Sequence, residues 1–208
     1  MNKSEWQKSL TKILLLANAC VFVLYVSGWV YPRVQNAEKT IKGLSQPNQP
    51  IEISVKVKDK AVKLNKKFEG EAGWLKDVTL EIKNTSNKTI NFLRLDIDFP
   101  ESRATGKILL HQIFLGKNSD IQSLRNKAPL NLMPGQSLEI PLASEHERIS
   151  RLIRLRYPSV EDMSEINITL GEAMFDDETL WSGGAIFKRN PDSNNPRKWV
   201  LVSNFIVD

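Results

Sequence analysis

The chain has 208 residues, 41% of them hydrophobic, and its 29 Lys+Arg against 24 Asp+Glu leave a net charge of +5. That is the length of one packed domain with an appendage, and the apolar content excludes wholesale disorder. The basic excess is too slight and too dispersed for a nucleic-acid binder, and the single cysteine, Cys20, excludes an internal disulfide, so the fold must rest on its core.

Residues 1–12 read as a short N-terminal tail carrying Lys3, Lys8 and Lys12. Ile13 to Val30 follows without a single charge, and as a helix it spans roughly 27 Å, close to the hydrocarbon thickness of a bilayer. No polar face exists at helical spacing, which argues against a buried helix of a soluble protein. Trp29 and Tyr31 sit where an interfacial aromatic belt belongs, and Pro32 ends the helix. The pattern predicts a single-pass signal anchor over 13–31, with the membrane itself as partner. A cleaved signal peptide, cut after Gly28 in Val26-Ser27-Gly28, is the competing reading. Lysines and arginines flank both sides of the segment and barely discriminate its orientation. The short tail and the large following domain predict an extracytoplasmic C-terminal side at the cell membrane.

Residues 32–50, with Pro32, Pro47 and Pro50, read as a linker, and the domain is expected over 51–208. Period-two alternation predicts a strand from Ile51 to Val57, and another at Val78–Lys83. The polar turn Asn84–Lys88 and the run Thr89–Phe99 complete an expected hairpin, with a bulge near Phe92-Leu93. Further strands are expected at Lys107–Leu115, Ser137–Leu142, Ile166–Met174, Trp181–Lys188 and Lys198–Val202. Met133-Pro134-Gly135-Gln136 has a type II turn signature. Ser144-x-x-Glu147 has capping-box form and predicts a short helical insertion near 145–152, with extended chain after it. Short alternating strands with regular turns define an all-β, antiparallel sandwich. Lys56, Lys58 and Lys60 would protect a sheet edge.

The stretch Phe175-Asp176-Asp177-Glu178-Thr179, Trp181, Gly183-Gly184, then Asn190-Pro191-Asp192 and Lys198-Trp199, resembles a family of uncharacterised bacterial membrane-anchored proteins. Their pattern runs Phe-Gly-Asp-Gly-Thr, a Trp and a Gly pair. The Val78–Phe99 region and Pro134–Leu138 are similar to theirs as well. The resemblance implies an Ig-like β-sandwich behind an N-terminal hydrophobic segment, and implies no activity. This chain departs from the pattern at Asp176 and Glu178, where the family has glycines, so a turn needing positive φ there would be strained by Glu178.

Chemistry-bearing motifs are sparse. His146-Glu147 opens like a zinc-protease helix but lacks the second histidine, and His111 falls within an alternating strand as a packed or edge residue. No phosphate-cradling glycine loop or nucleophile elbow occurs, and no cofactor is expected. Asp176, Asp177 and Glu178 are the candidate metal ligands, three carboxylates in a row suited to Ca²⁺; a solvated turn competes with that reading. Arg94, Asp96 and Asp98 share one strand face and read as an ion-paired, solvated surface. The basic stretches Lys56–Lys67 and Arg148–Arg156 read as solvated charge, with anionic head groups or a cell-wall polymer as the other possibility. Trp74, Trp181 and Trp199 are expected in the core or packed on strands. Asn84, Asn87 and Asn167 fall in glycosylation sequons, which carry meaning only in a glycosylating pathway. The function expected is a non-catalytic, membrane-tethered, extracytoplasmic interaction module, its partner an envelope protein bound along a sheet edge. The alternative is a ligand- or cation-binding, even hydrolytic, domain built on the acidic turn. The oligomeric state is not legible.

Overall fold

A computed structural model of the chain describes residues 37–156, 163–192 and 198–204, all within one compact unit. The apolar segment from Ile13 to Val30 and its flanking Trp29 and Tyr31 lie outside the described residues. Among the described residues no helix is long and apolar enough to cross a membrane.

The fold is mostly β. Its strands are β1 (Ala37–Leu44), β2 (Ile51–Val57), β3 (Lys60–Val62), β4 (Lys67–Gly70), β5 (Val78–Asn84) and β6 (Ile90–Asp98), followed by β7 (Leu110–Gly116), β8 (Ser137–Pro141), β9 (Glu165–Phe175), β10 (Thr179–Ser182), β11 (Ala185–Arg189) and β12 (Trp199–Asn204). Among the described residues one α-helix, α1 (Ala143–Arg156), lies between β8 and β9. The smaller sheet has the order β3-β2-β5-β8. The larger is organised on β9, which pairs with β6 along one edge. Its other edge is divided: β1 runs parallel to Glu165–Thr169, and β10 runs antiparallel beside Glu172–Met174. The two sheets pack together through Val55, Leu80 and Ile82 from the smaller and Leu95, Ile97, Ile168 and Leu170 from the larger.

Period two is obeyed where burial demands it. In β6, Leu93, Leu95 and Ile97 are buried while Arg94, Asp96 and Asp98 turn outward. The expected bulge is present, since the register against β9 slips between Ile90 and Phe92. The 133–136 turn also forms, with Gly135 at φ +76 and Gln136 N–H donating to Met133 O. Trp74 and Trp181 are core residues, each 1% exposed.

Six expectations are corrected. Residues 37–44 are not linker but strand β1, concealed in the sequence because Lys39 faces inward, 1% exposed beside buried Ile41. The sheets are not wholly antiparallel, because β1 and β9 run parallel. The segments either side of Asn84–Lys88 do not form a hairpin: β5 belongs to the smaller sheet and β6 to the larger. The run expected as one strand over Trp181–Lys188 is a hairpin, turned at Gly183-Gly184 where both φ angles are positive. The helix runs to Arg156, past the expected end at 152, because Ile149 and Ile153 both reach the core. Its Ser144 does not form a capping box; the hydroxyl donates to Pro141 O.

The arch between the sheets hangs on Asn84, which is fully buried. Its amide donates to Lys88 O and Leu132 O, both at 2.8 Å, and its Oδ1 accepts from Ser86 N–H and Oγ–H. A hairpin turn needs no such buried side chain; a crossing between layers does, because its backbone leaves both ladders. Replacing Asn84→Ala removes both amide donors and the acceptor of Ser86, leaves the Lys88 carbonyl only the Ser86 hydroxyl at 3.1 Å, and frees the arch. We expect a loss of about 2 kcal/mol, seen as a fall in melting temperature of roughly 4–8 °C. An unchanged melting curve would mean that the arch is held by its backbone alone.

Candidate functional site

The three carboxylates proposed as metal ligands occupy the three-residue connection from β9 to β10, and all three are exposed. They do not converge. The Asp177 side chain folds back, its Oδ1 accepting from Thr179 N–H at 3.1 Å and Thr179 Oγ–H at 2.5 Å. Its Oδ2 pairs with Lys88 at 2.7 Å, tying the turn to the arch. Among the described residues no group of three or more His, Cys, Asp or Glu side chains is gathered to hold a metal ion. The turn is thus built as an Asx-type connection with a cross-arch ion pair.

Partial burial pushes the Asp177 carboxyl up, but the Lys88 ammonium and the two Thr179 donors outweigh it and hold the pKa below the ordinary 3.8. A carboxyl depressed in the folded state stabilises the fold above its unfolded pKa, and that contribution disappears as pH falls through the folded value. Asp177→Asn is therefore expected to lower stability at pH 7 by no more than about 1 kcal/mol, since solvent screens a half-exposed pair. The gap between variant and parent should close as the pH is taken below 3.8. A gap independent of pH would refute the ion pair as its origin.

Glu178 completes the turn at φ +61, the left-handed region that a three-residue hairpin loop ordinarily gives to glycine. The departure from glycine at this position is real strain. Glu178→Gly should raise stability by about 1 kcal/mol, read as a higher denaturant midpoint at unchanged slope. A lower midpoint would show that the Glu178 side chain makes a compensating contact.

Beside the turn lies a cleft of about 310 Å³, lined by Asn48, Gln49, Asn87, Lys88, Phe175 and Trp181 among others. Its volume is at the lower limit for small-molecule sites. Lys88 lies 5.4 Å from the Phe175 ring centroid, a cation–π distance. Two buried polar atoms of the lining residues have no hydrogen-bond partner, the donor Trp181 Nε1 and the acceptor Gln49 Oε1. A second cleft, of about 460 Å³, shares Asn48, Gln49 and Thr85 with the first. Sequence reading missed both, because their walls come from separate segments that no local pattern joins.

The outward face of β6 is ion-paired as its spacing suggested. Arg94 donates to Glu172 at 2.8 Å, and Arg103 to Asp98 at 2.6 Å. Arg94 Nε also lies 3.3 Å from Asp96 Oδ1, close enough for an ion pair but not aligned for a hydrogen bond. Arg94 lies flat across Gly171, where an added Cβ would stand 2.4 Å from Nε. Three of the lysines of 56–67 are similarly engaged. Lys56 meets Glu139, Lys58 meets Glu71 and Lys67 meets Glu38, and each partner raises its lysine's pKa. His111 is 9% exposed and sits 2.9 Å from Glu145, latching α1 to β7, while His146 is half-buried on the helix.

The last strand of the larger sheet differs from the other borders. Val200, Leu201 and Val202 of β12 are 42%, 51% and 50% exposed. Consecutive exposure on both faces means that β12 extends beyond the packed layers. The borders at β3, β4 and β8 instead carry Lys60, Lys67 and Pro141, residues that discourage strand addition, and β7, which pairs only with β6, exposes Leu110 at its start but no run of apolar residues. Comparison with known protein families, curated proteins and solved structures finds no match to the chain. The fold and these surfaces therefore define the class: a mostly-β domain of two packed sheets.

Proposed function

We propose that this chain is a non-catalytic interaction module, an Ig-like β-sandwich held outside the cytoplasm by the apolar segment 13–31. The resemblance of its C-terminal third to membrane-anchored bacterial proteins is in keeping with that reading. The observation that carries it is the border strand β12, where Val200, Leu201 and Val202 are exposed in a row. Main-chain N–H and C=O groups along such a border supply affinity to an added strand, and the exposed side chains supply selectivity. The partner is a protein of the same membrane or envelope presenting an extended segment. The acidic turn serves as a brace for the arch.

A photo-crosslinking residue at Leu201, in the full chain in its native membrane, should yield one discrete protein adduct. The same residue at Lys60 on β3 should not. Leu201→Lys, with the crosslinker moved to Val202, should abolish most of the adduct. Equal labelling from both borders would sink the proposal. A reporter fused after Asp208 tests the topology separately, and activity confined to the cytoplasm would reverse the orientation.

A further inference from the structure

Chain connectivity sorts the two ends of the domain. β1 is described from Ala37, and in the sequence residues 32–36 stand between it and the apolar segment. The end of the domain at which β1 starts is consequently well defined. Ala37 pairs with Gly70, and the chain then enters the turn Trp74–Asp77. Trp74 Nε1 donates at 2.7 Å to Met163 O, just ahead of β9. Asp98, at the end of β6, pairs with Asn167 near the start of β9 and with Leu110 at the start of β7. Helix α1 belongs to this same end: it follows Pro141, which is paired with Thr79, and its Glu145 meets His111 of β7. The acidic turn and its cleft lie at the opposite end, roughly 35 Å away along β9.

Two features of the β1 end are unspent by the fold. Helix α1 buries Ile149 and Ile153 and turns Glu147, Arg148, Arg151 and Arg154 outward, three guanidiniums against one carboxylate. Arg148 is 75% and Arg151 66% exposed, and their contacts to Glu145 and Glu147 are surface pairs that a phosphate can replace. In the loop ahead of β7, Ile108 is 74% exposed, the most exposed large hydrophobic among the described residues. A basic helix face with an apolar side chain at the same end is the chemistry of an anionic lipid surface.

We propose that this end docks on an anionic bilayer, with Arg148, Arg151 and Arg154 meeting lipid phosphates and Ile108 entering the head-group layer. The inference rests on the tether reading above and holds for either orientation of the chain. Docking would hold the domain down and present the acidic turn and cleft away from the membrane.

The test uses the full chain in vesicles, in a Cys20→Ala background, with a fluorophore on Ile108→Cys or on Asp176→Cys and a quencher on lipid head groups. With phosphatidylglycerol present, quenching at 108 should exceed that at 176 several-fold. The contrast should collapse in pure phosphatidylcholine, and also when Arg148, Arg151 and Arg154 are all changed to Gln in a chain that melts at the parent temperature. Equal quenching at the two positions, or a contrast indifferent to the arginines, overturns the docking. Release of the chain by alkaline carbonate, with the contrast intact beforehand, overturns the tether and leaves the docking standing.

Discussion

One strand carries the architecture. β9 is eleven residues long and serves three neighbours, β6 along one edge and β1 and β10 sharing the other. A strand flanked on both edges must bury its inward residues, and Ile166, Ile168, Leu170 and Ala173 are all fully buried. The parallel pairing of Thr40 with Glu165 joins the beginning of the domain to its last third. The larger sheet is therefore incomplete until most of the chain is available, a topology whose loop-closure entropy slows folding. The same pairing fixes the end of the domain at which β1 starts, beside the start of β9.

Polar side chains fasten the elements that the ladders do not. Asn84 closes the crossing between layers, Trp74 ties the 74–77 turn to Met163, and His111 with Glu145 ties the helix to β7. Glu101 accepts from the backbone and hydroxyl of Ser164, joining the turn after β6 to the start of β9. Each fastening lies at an end of the sheets, where backbone groups leave regular pairing and need partners. Between the two sheets the middle of the molecule is packed with apolar side chains. This division explains why the polar residues most costly to remove are not those grouped in the sequence as charge runs.

The legible parts of the fold were those in which one face is buried and the other wet. β2, β5, β6, β8 and β9 show that alternation, and their registers follow it. β1 escaped because Lys39 occupies an inward position, its stem packed where Gly70 leaves room, a Cβ there lying 2.8 Å from Lys39 Cγ. Local pattern cannot distinguish an arch from a hairpin, since both need two strands and a polar turn. Only the partners of Asn84, residues 132 and 136 among them, decide between the two. Gly183-Gly184 could have been read as a turn, and the apolar residues on both sides concealed it. The acidic run was legible as a turn, and the positive φ at Glu178 was legible as a strain. Its carboxylates diverge because Thr179 and Lys88 claim Asp177, a claim made partly by a residue 89 positions earlier in the chain.

These features assign different work to different surfaces. The β1 end carries α1 with its outward arginines. The far end carries the cleft, whose Trp181 Nε1 and Gln49 Oε1 are two of the buried polar atoms without a hydrogen-bond partner among the described residues. The β12 border belongs to neither end; it continues the larger sheet sideways through β10 and β11. A partner strand added at β12 would extend a sheet whose central strand is already fully paired, so binding there need not disturb the core. A surface with that property can be occupied and vacated while the fold stays intact, which is what an interaction module requires.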